Sequence, residues 1–125
     1  MGYESRIYII NRVEHKRPYC EPWVFAEKIA MVNMCVMDYD FRTLFDKPID
    51  YTIHIEYPIF VNDRFENETD IDCYGEHLKY TTIDKVVKWL ESHKVEYRRI
   101  SPLLGLLKGF NENEWDELQV VHFGY

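Results

Sequence analysis

Several things that would identify a function at once are missing from this chain. Cysteine is scarce and unpaired: Cys20, Cys35 and Cys73 are an odd number with no repeated spacing. With no apolar signal-peptide segment, that pattern predicts a reducing, cytoplasmic setting and no disulfide framework. No apolar run approaches the roughly 18 residues of a membrane span, so no membrane partner is expected. Arg6 stands where an N-terminal myristoylation signal needs Ser or Thr. No Pro/Gly/Ser-rich linker, internal repeat or low-complexity tract interrupts residues 1–125, which read as a single domain.

Excess positive charge is also lacking. The formal net charge is −7, which repels phosphate backbones and argues against direct nucleic-acid binding. The same charge favours encounter with a basic protein surface. Apolar residues make up 46% of the chain, enough for a folded core. Aromatic residues, mainly ten Tyr and seven Phe, supply side chains suited to half-wet interfaces.

Periodicity sets the fold class. Ile83, Val86, Val87 and Leu90 recur at i, i+3, i+4 and i+7, which predicts an amphipathic helix. Thr81 with Asp84 has the form of its capping box. Ser101 and Pro102 read as the start of a second helix through Leu107, with Gly109 as a C′ residue of positive φ. Ser5 to Val13 is an apolar run suited to a strand covered on at least part of both faces. Trp23 to Met37 is apolar nearly all round and fits strand or helix; its Val and Ile content and the first strand's need for a partner favour strand. Residues 38–45 predict a helical turn capped by Asp38 or Asp40, with Phe41, Leu44 and Phe45 on one side.

Ile49 to Val61 alternates, with Tyr51, Ile53, Ile55 and Tyr57 on one face and Thr52, His54 and Glu56 on the other. Pro58 has no amide to donate and should mark an edge, bulge or break. Residues 62–76 read as a solvated acidic loop with a short hairpin near Ile71 and Tyr74, residues 111–117 as an acidic turn, and Leu118 to Tyr125 as a last strand. The expected architecture is α+β in the order ββ(α)βααβ. About four mostly antiparallel strands would be covered on one face by two helices, and the other face would be partly open.

Motifs for chemistry are sparse. Cys73 and His77 lie near Asp70, Asp72 and Glu76, but the paired half-sites of a zinc centre and the pattern of a calcium loop are absent. Gly105 to Gly109 lacks P-loop spacing and is leucine-rich. We therefore expect no metal and no cofactor. His54 and Glu56 share a strand face, and His122 on a neighbouring strand would complete a small hydrolase site, although no activated nucleophile accompanies them. Lys94, Arg98 and Arg99, together with Arg17 beside His15 and Lys16, could converge to bind a phosphate-bearing small ligand such as a nucleotide signal.

The two acidic stretches carry the main expectation. Glu66, Glu68, Asp70, Asp72, Glu112, Glu114 and Asp116 would supply charge, and Phe65, Tyr74 and Trp115 would anchor a partner. The segments GYESRIYII and YRRISPLLGLLKGFNENEWDELQVVHFGY resemble small bacteriophage-encoded proteins of Gram-positive hosts to which no activity is attached. That resemblance implies a non-enzymatic accessory protein acting in the host cytoplasm as an anti-CRISPR or other anti-defence inhibitor. Its partner would be the basic surface of a host nuclease or defence effector, with carboxylates in place of phosphates. Residues 15–76 carry no part of the resemblance.

Overall fold

A computed structural model describes residues 4–35, 39–61, 63–93 and 100–124. In chain order the elements are β1 (Ser5–His15), β2 (Trp23–Cys35), α1 (Tyr39–Arg42), β3 (Lys47–Pro48), β4 (Ile53–Val61), β5 (Arg64–Thr69), β6 (Lys79–Thr81), α2 (Ile83–His93), α3 (Ile100–Lys108) and β7 (Leu118–Gly124). A 3-10 turn at Glu112–Glu114 precedes the last strand. The class is α+β and the pairing is antiparallel throughout, but the strands form two sheets. Five are ordered β2-β1-β7-β6-β3, and β4 pairs with β5 in a separate hairpin.

The apolar run of β1 explains the layering. Ile7 and Ile9 point to one side of the five-stranded sheet and join Val120, Phe41, Phe45, Val86, Leu90, Leu103 and Leu107 in a first core beneath the helices. Tyr8 and Ile10 point to the other side and join Val121, Phe123, Tyr51, Ile53, Ile55 and Leu78 in a second core. All four β1 side chains are fully buried. The open second face expected from sequence is thus covered. The apolar face of residues 49–55 folds across the sheet and does not extend it edge to edge.

Trp23 to Met37 is strand over its described part, pairing with β1 from His15↔Trp23 to Ser5↔Cys35 through a register shift between Ile9 and Ile10. Met37 and Asp38 lie outside the described residues. In α2, Ile83, Val86, Trp89 and Leu90 are buried. The cap falls one residue later than expected: Thr82 Oγ1 accepts the Lys85 amide at 3.3 Å, and Thr81 is the buried last residue of β6. Gly109 closes α3 without positive φ, its amide shared between the Gly105 and Leu106 carbonyls at 3.2 Å each. A tightened last turn therefore satisfies the carbonyls without a left-handed residue.

Candidate functional site

The β4–β5 hairpin is built in two halves. Its root is held: Ile53, Ile55 and Thr69 are buried. Glu56 also ties the root to the sheet, taking Lys28 Nζ at 2.8 Å and the Tyr8 hydroxyl at 3.0 Å, with Arg6 at 3.7 Å. Burial alone would raise the Glu56 carboxyl, but the Lys28 and Tyr8 hydrogen bonds outweigh it and hold the group low. Burial pushes the Tyr8 hydroxyl up to about 12, so it stays protonated as a donor.

Beyond His54 the ladder lapses. The register shifts between His54 and Ile59, around Pro58, and Asn67 Nδ2 bridges the gap to the Ile55 carbonyl at 3.0 Å. This break turns Tyr57 outward to 76% exposure, where strict alternation placed it with Tyr51, Ile53 and Ile55. It also resets the outer half. Ile59↔Glu66, Phe60↔Phe65 and Val61↔Arg64 pair, and Asp63 takes a left-handed φ of 63° in the connecting turn. Phe60 and Phe65 lie ring to ring at 5.2 Å, yet remain 62% and 71% exposed.

Carboxylates lie along the same hairpin, together with exposed Arg64, which stands 4.0 Å from Glu66. Asp63, Glu68 and Asp70 are exposed and Glu66 is half-buried. Glu68 accepts from Thr52 at 3.3 Å and meets His54 at 3.1 Å, while Asp70 stands 4.0 Å from His77. The segment read from sequence as a solvated loop is therefore a paired strand as far as Thr69.

Asp72 does not belong to this surface. It is 5% exposed, and its Oδ1 accepts the amides of Tyr74 at 2.8 Å and Glu76 at 3.0 Å, closing a turn in which Gly75 has a φ of 79°. Burial raises its pKa against those two amides. Tyr74, on the same turn, is exposed.

The second acidic stretch lies elsewhere. Glu112 and Glu114 sit in the 3-10 turn capped by Asn111. Trp115 is half-buried beside Phe110, 5.9 Å between rings. Buried Asn11, which the sequence reading passed over, accepts the amides of Asp116 and Glu117 at 3.0 and 3.1 Å. Glu117 O accepts the Arg12 amide just before β7 begins, whereas the Cys73 amide bonds Gly124 O at the far end of that strand. Seven residues at about 3.3 Å each separate the two stretches by roughly 20 Å. They do not form one surface, contrary to expectation. Glu112, Glu114, Trp115 and Asp116 are remote from Phe65, Glu66, Glu68, Asp70 and Tyr74.

The three residues proposed for a hydrolase are likewise divided. His122 is 9% exposed on the helix side of the sheet, near Phe41 and Phe45, with Nε2 2.9 Å from Ser5 Oγ. His54 and Glu56 belong to the hairpin that covers the opposite face. Burial, with the Arg42 charge, lowers the His122 pKa to about 4. Arg17 is exposed in the turn between β1 and β2; Lys94, Arg98 and Arg99 lie outside the described residues. Among the described residues no cluster of three His, Cys, Asp or Glu side chains could hold a metal ion, and no helix is long and apolar enough to cross a membrane.

Phe60 and Tyr57 are the surface residues that sequence reasoning missed. Pro58 was the available signal for Tyr57, which leaves the buried face at the break, whereas Ile59 still packs on the second core and Phe60 is exposed, as the alternation of residues 51–56 continued outward would place them. Compared with protein families, curated proteins and solved structures, the chain finds no match in any of the three.

Proposed function

We propose that this is a non-enzymatic binding protein whose β4–β5 hairpin docks on a basic groove of a nucleic-acid-handling enzyme and inhibits it. The exposed Phe60–Phe65 pair carries the reading. Two large rings held in water by a rooted hairpin resemble the anchors that dominate protein interfaces. The flanking Asp63, Glu66, Glu68 and Asp70 select a cationic partner and speed encounter with it. The sequence resemblance to phage proteins supports an anti-defence role, with a host nuclease or anti-CRISPR target in the cytoplasm. Tyr74 extends the surface; the Glu112–Asp116 turn is left out of it.

The test is capture from a Gram-positive bacterial lysate with three baits: wild type, Phe60→Ala/Phe65→Ala, and Glu66→Lys/Glu68→Lys/Asp70→Lys. One retained protein should be lost with either variant and displaced by added oligonucleotide. Retention unaffected by both variants overturns the reading.

A second reading, small-anion binding, draws on a cavity of about 470 Å³ between α1 and the turn before β6. Arg42, His77 and Lys79 line it beside Tyr39 and Tyr74, a different set from the one expected from sequence. Asp72 and Glu76 line it as well and offset its positive charge, which ranks this reading second. A nucleotide that raises the melting temperature in proportion to the logarithm of its concentration would favour it.

A further inference from the structure

Beside the Phe60–Phe65 pair, Ile59, Phe60 and Ile71 line a groove of about 390 Å³ whose floor is completed by Asp72, Cys73 and Gly75. One wall is the reset outer half of the hairpin and the other is the turn that Asp72 holds. Both walls are fixed. The Phe60↔Phe65 and Ile59↔Glu66 pairs set one. The amides on Asp72 Oδ1, the Ile71↔His77 bridge and the Cys73 amide on Gly124 O set the other. The groove is therefore preformed, and an entering side chain meets little ordering cost. Glu66 is paired with Ile59 at its edge, and Asp70 and Glu76 flank the Ile71–Gly75 turn.

Resting on the docking reading above, we infer that this groove takes one large apolar side chain from a basic segment of the partner. The partner's neighbouring Lys or Arg residues meet Glu66, Asp70 and Glu76. The bordering segments carry Glu66, Asp70 and Glu76 against Arg64 and His77, which stand 4.0 Å from Glu66 and Asp70 respectively. The net charge there is negative, so an acidic segment is repelled while a wholly polar one leaves the slot wet. The chemistry recognised is a cationic peptide with a Phe or Leu anchor. A uniformly charged polymer fills only half of the requirement.

Two labelled peptides test this on the full chain by fluorescence anisotropy at low and high salt. One is a Lys/Arg-rich decamer with a single central Phe; the other is identical with Ser in its place. The Phe peptide should bind at least about tenfold more tightly, the order expected for burying one aromatic side chain. Phe60→Ala, which removes both a wall of the groove and one of the two anchor rings, should weaken both peptides and bring their affinity ratio close to one. Glu66→Lys/Asp70→Lys should weaken both. Equal binding of the two peptides overturns the groove inference while sparing the charge-based reading. Binding of neither, or binding insensitive to salt and charge reversal, overturns both. A concentration-dependent dimer that Phe60→Ala disrupts would assign the groove to a second copy of this chain and also overturn the inference. Phe60 is mostly solvent-exposed, and an unchanged melting temperature verifies that the variant remains folded.

Discussion

His122 illustrates how far a residue's chemistry depends on where the chain puts it. From sequence it is a titratable side chain on a strand beside His54 and Glu56; in the fold it is sealed near two phenylalanines and held neutral. With its pKa lowered from the ordinary 6.5 to about 4, the unfolded chain binds an additional proton between those values. Stability from this group is complete above pH 6.5 and is lost as pH falls toward 4, by about 3 kcal/mol in total. Urea titrations at pH 7, 5.5 and 4.5 should show that decline, and His122→Asn should remove it. The comparison of slopes isolates His122 from Asp72, whose raised pKa acts in the opposite direction. Asn11 could not have been singled out from sequence at all. A lone amide in an apolar strand gains its role only when residues 116 and 117, more than a hundred positions away, bring their amides to it.

Among the elements, those governed by local periodicity were legible and those governed by partners were not. The buried stripe of α2 follows from its i, i+3, i+4 and i+7 spacing, and the double-sided burial of β1 from its unbroken apolar run. β3 and β6 are two and three residues long, too short for any pattern, and exist because a neighbouring strand offers a ladder. The hairpin lies between these cases: its root obeys alternation, Tyr57 departs from it beside Pro58, and the cross-strand register beyond is shifted although Ile59 still faces the core. Ile55→Ala at the root should cost about 2–5 kcal/mol, as for a core deletion. Phe65→Ala at the tip should cost less than about 1 kcal/mol, because little is buried there. Chemical denaturation compares the two directly; equal losses would mean that the tip is packed after all. Thr82→Ala should cost about 1 kcal/mol by removing the α2 cap, and Thr81→Ala would report on core packing instead.

For the whole molecule, composition predicted the sign of the field but not its distribution. A net charge of −7 says that a cationic partner is favoured, yet only the fold separates the two acidic stretches by the length of β7. Two charge reversals should therefore behave differently. Glu66→Lys/Glu68→Lys should lower the association rate with a basic partner by about tenfold at low salt, with the difference shrinking as salt is added. Glu112→Lys/Glu114→Lys should change it about twofold or less. Stopped-flow association with the captured partner measures both, and equal effects would show that charge acts diffusely.

The lapse in pairing at Pro58 has a consequence for how such a protein can change. Beyond it Ile59 still leans on the second core, whereas Phe60, Asp63, Arg64 and Phe65 are exposed, so substitutions at those four leave both cores as they are. The exposed tip can thus be rewritten while the body that displays it stays constant, which on the docking reading would let recognition follow a changing target.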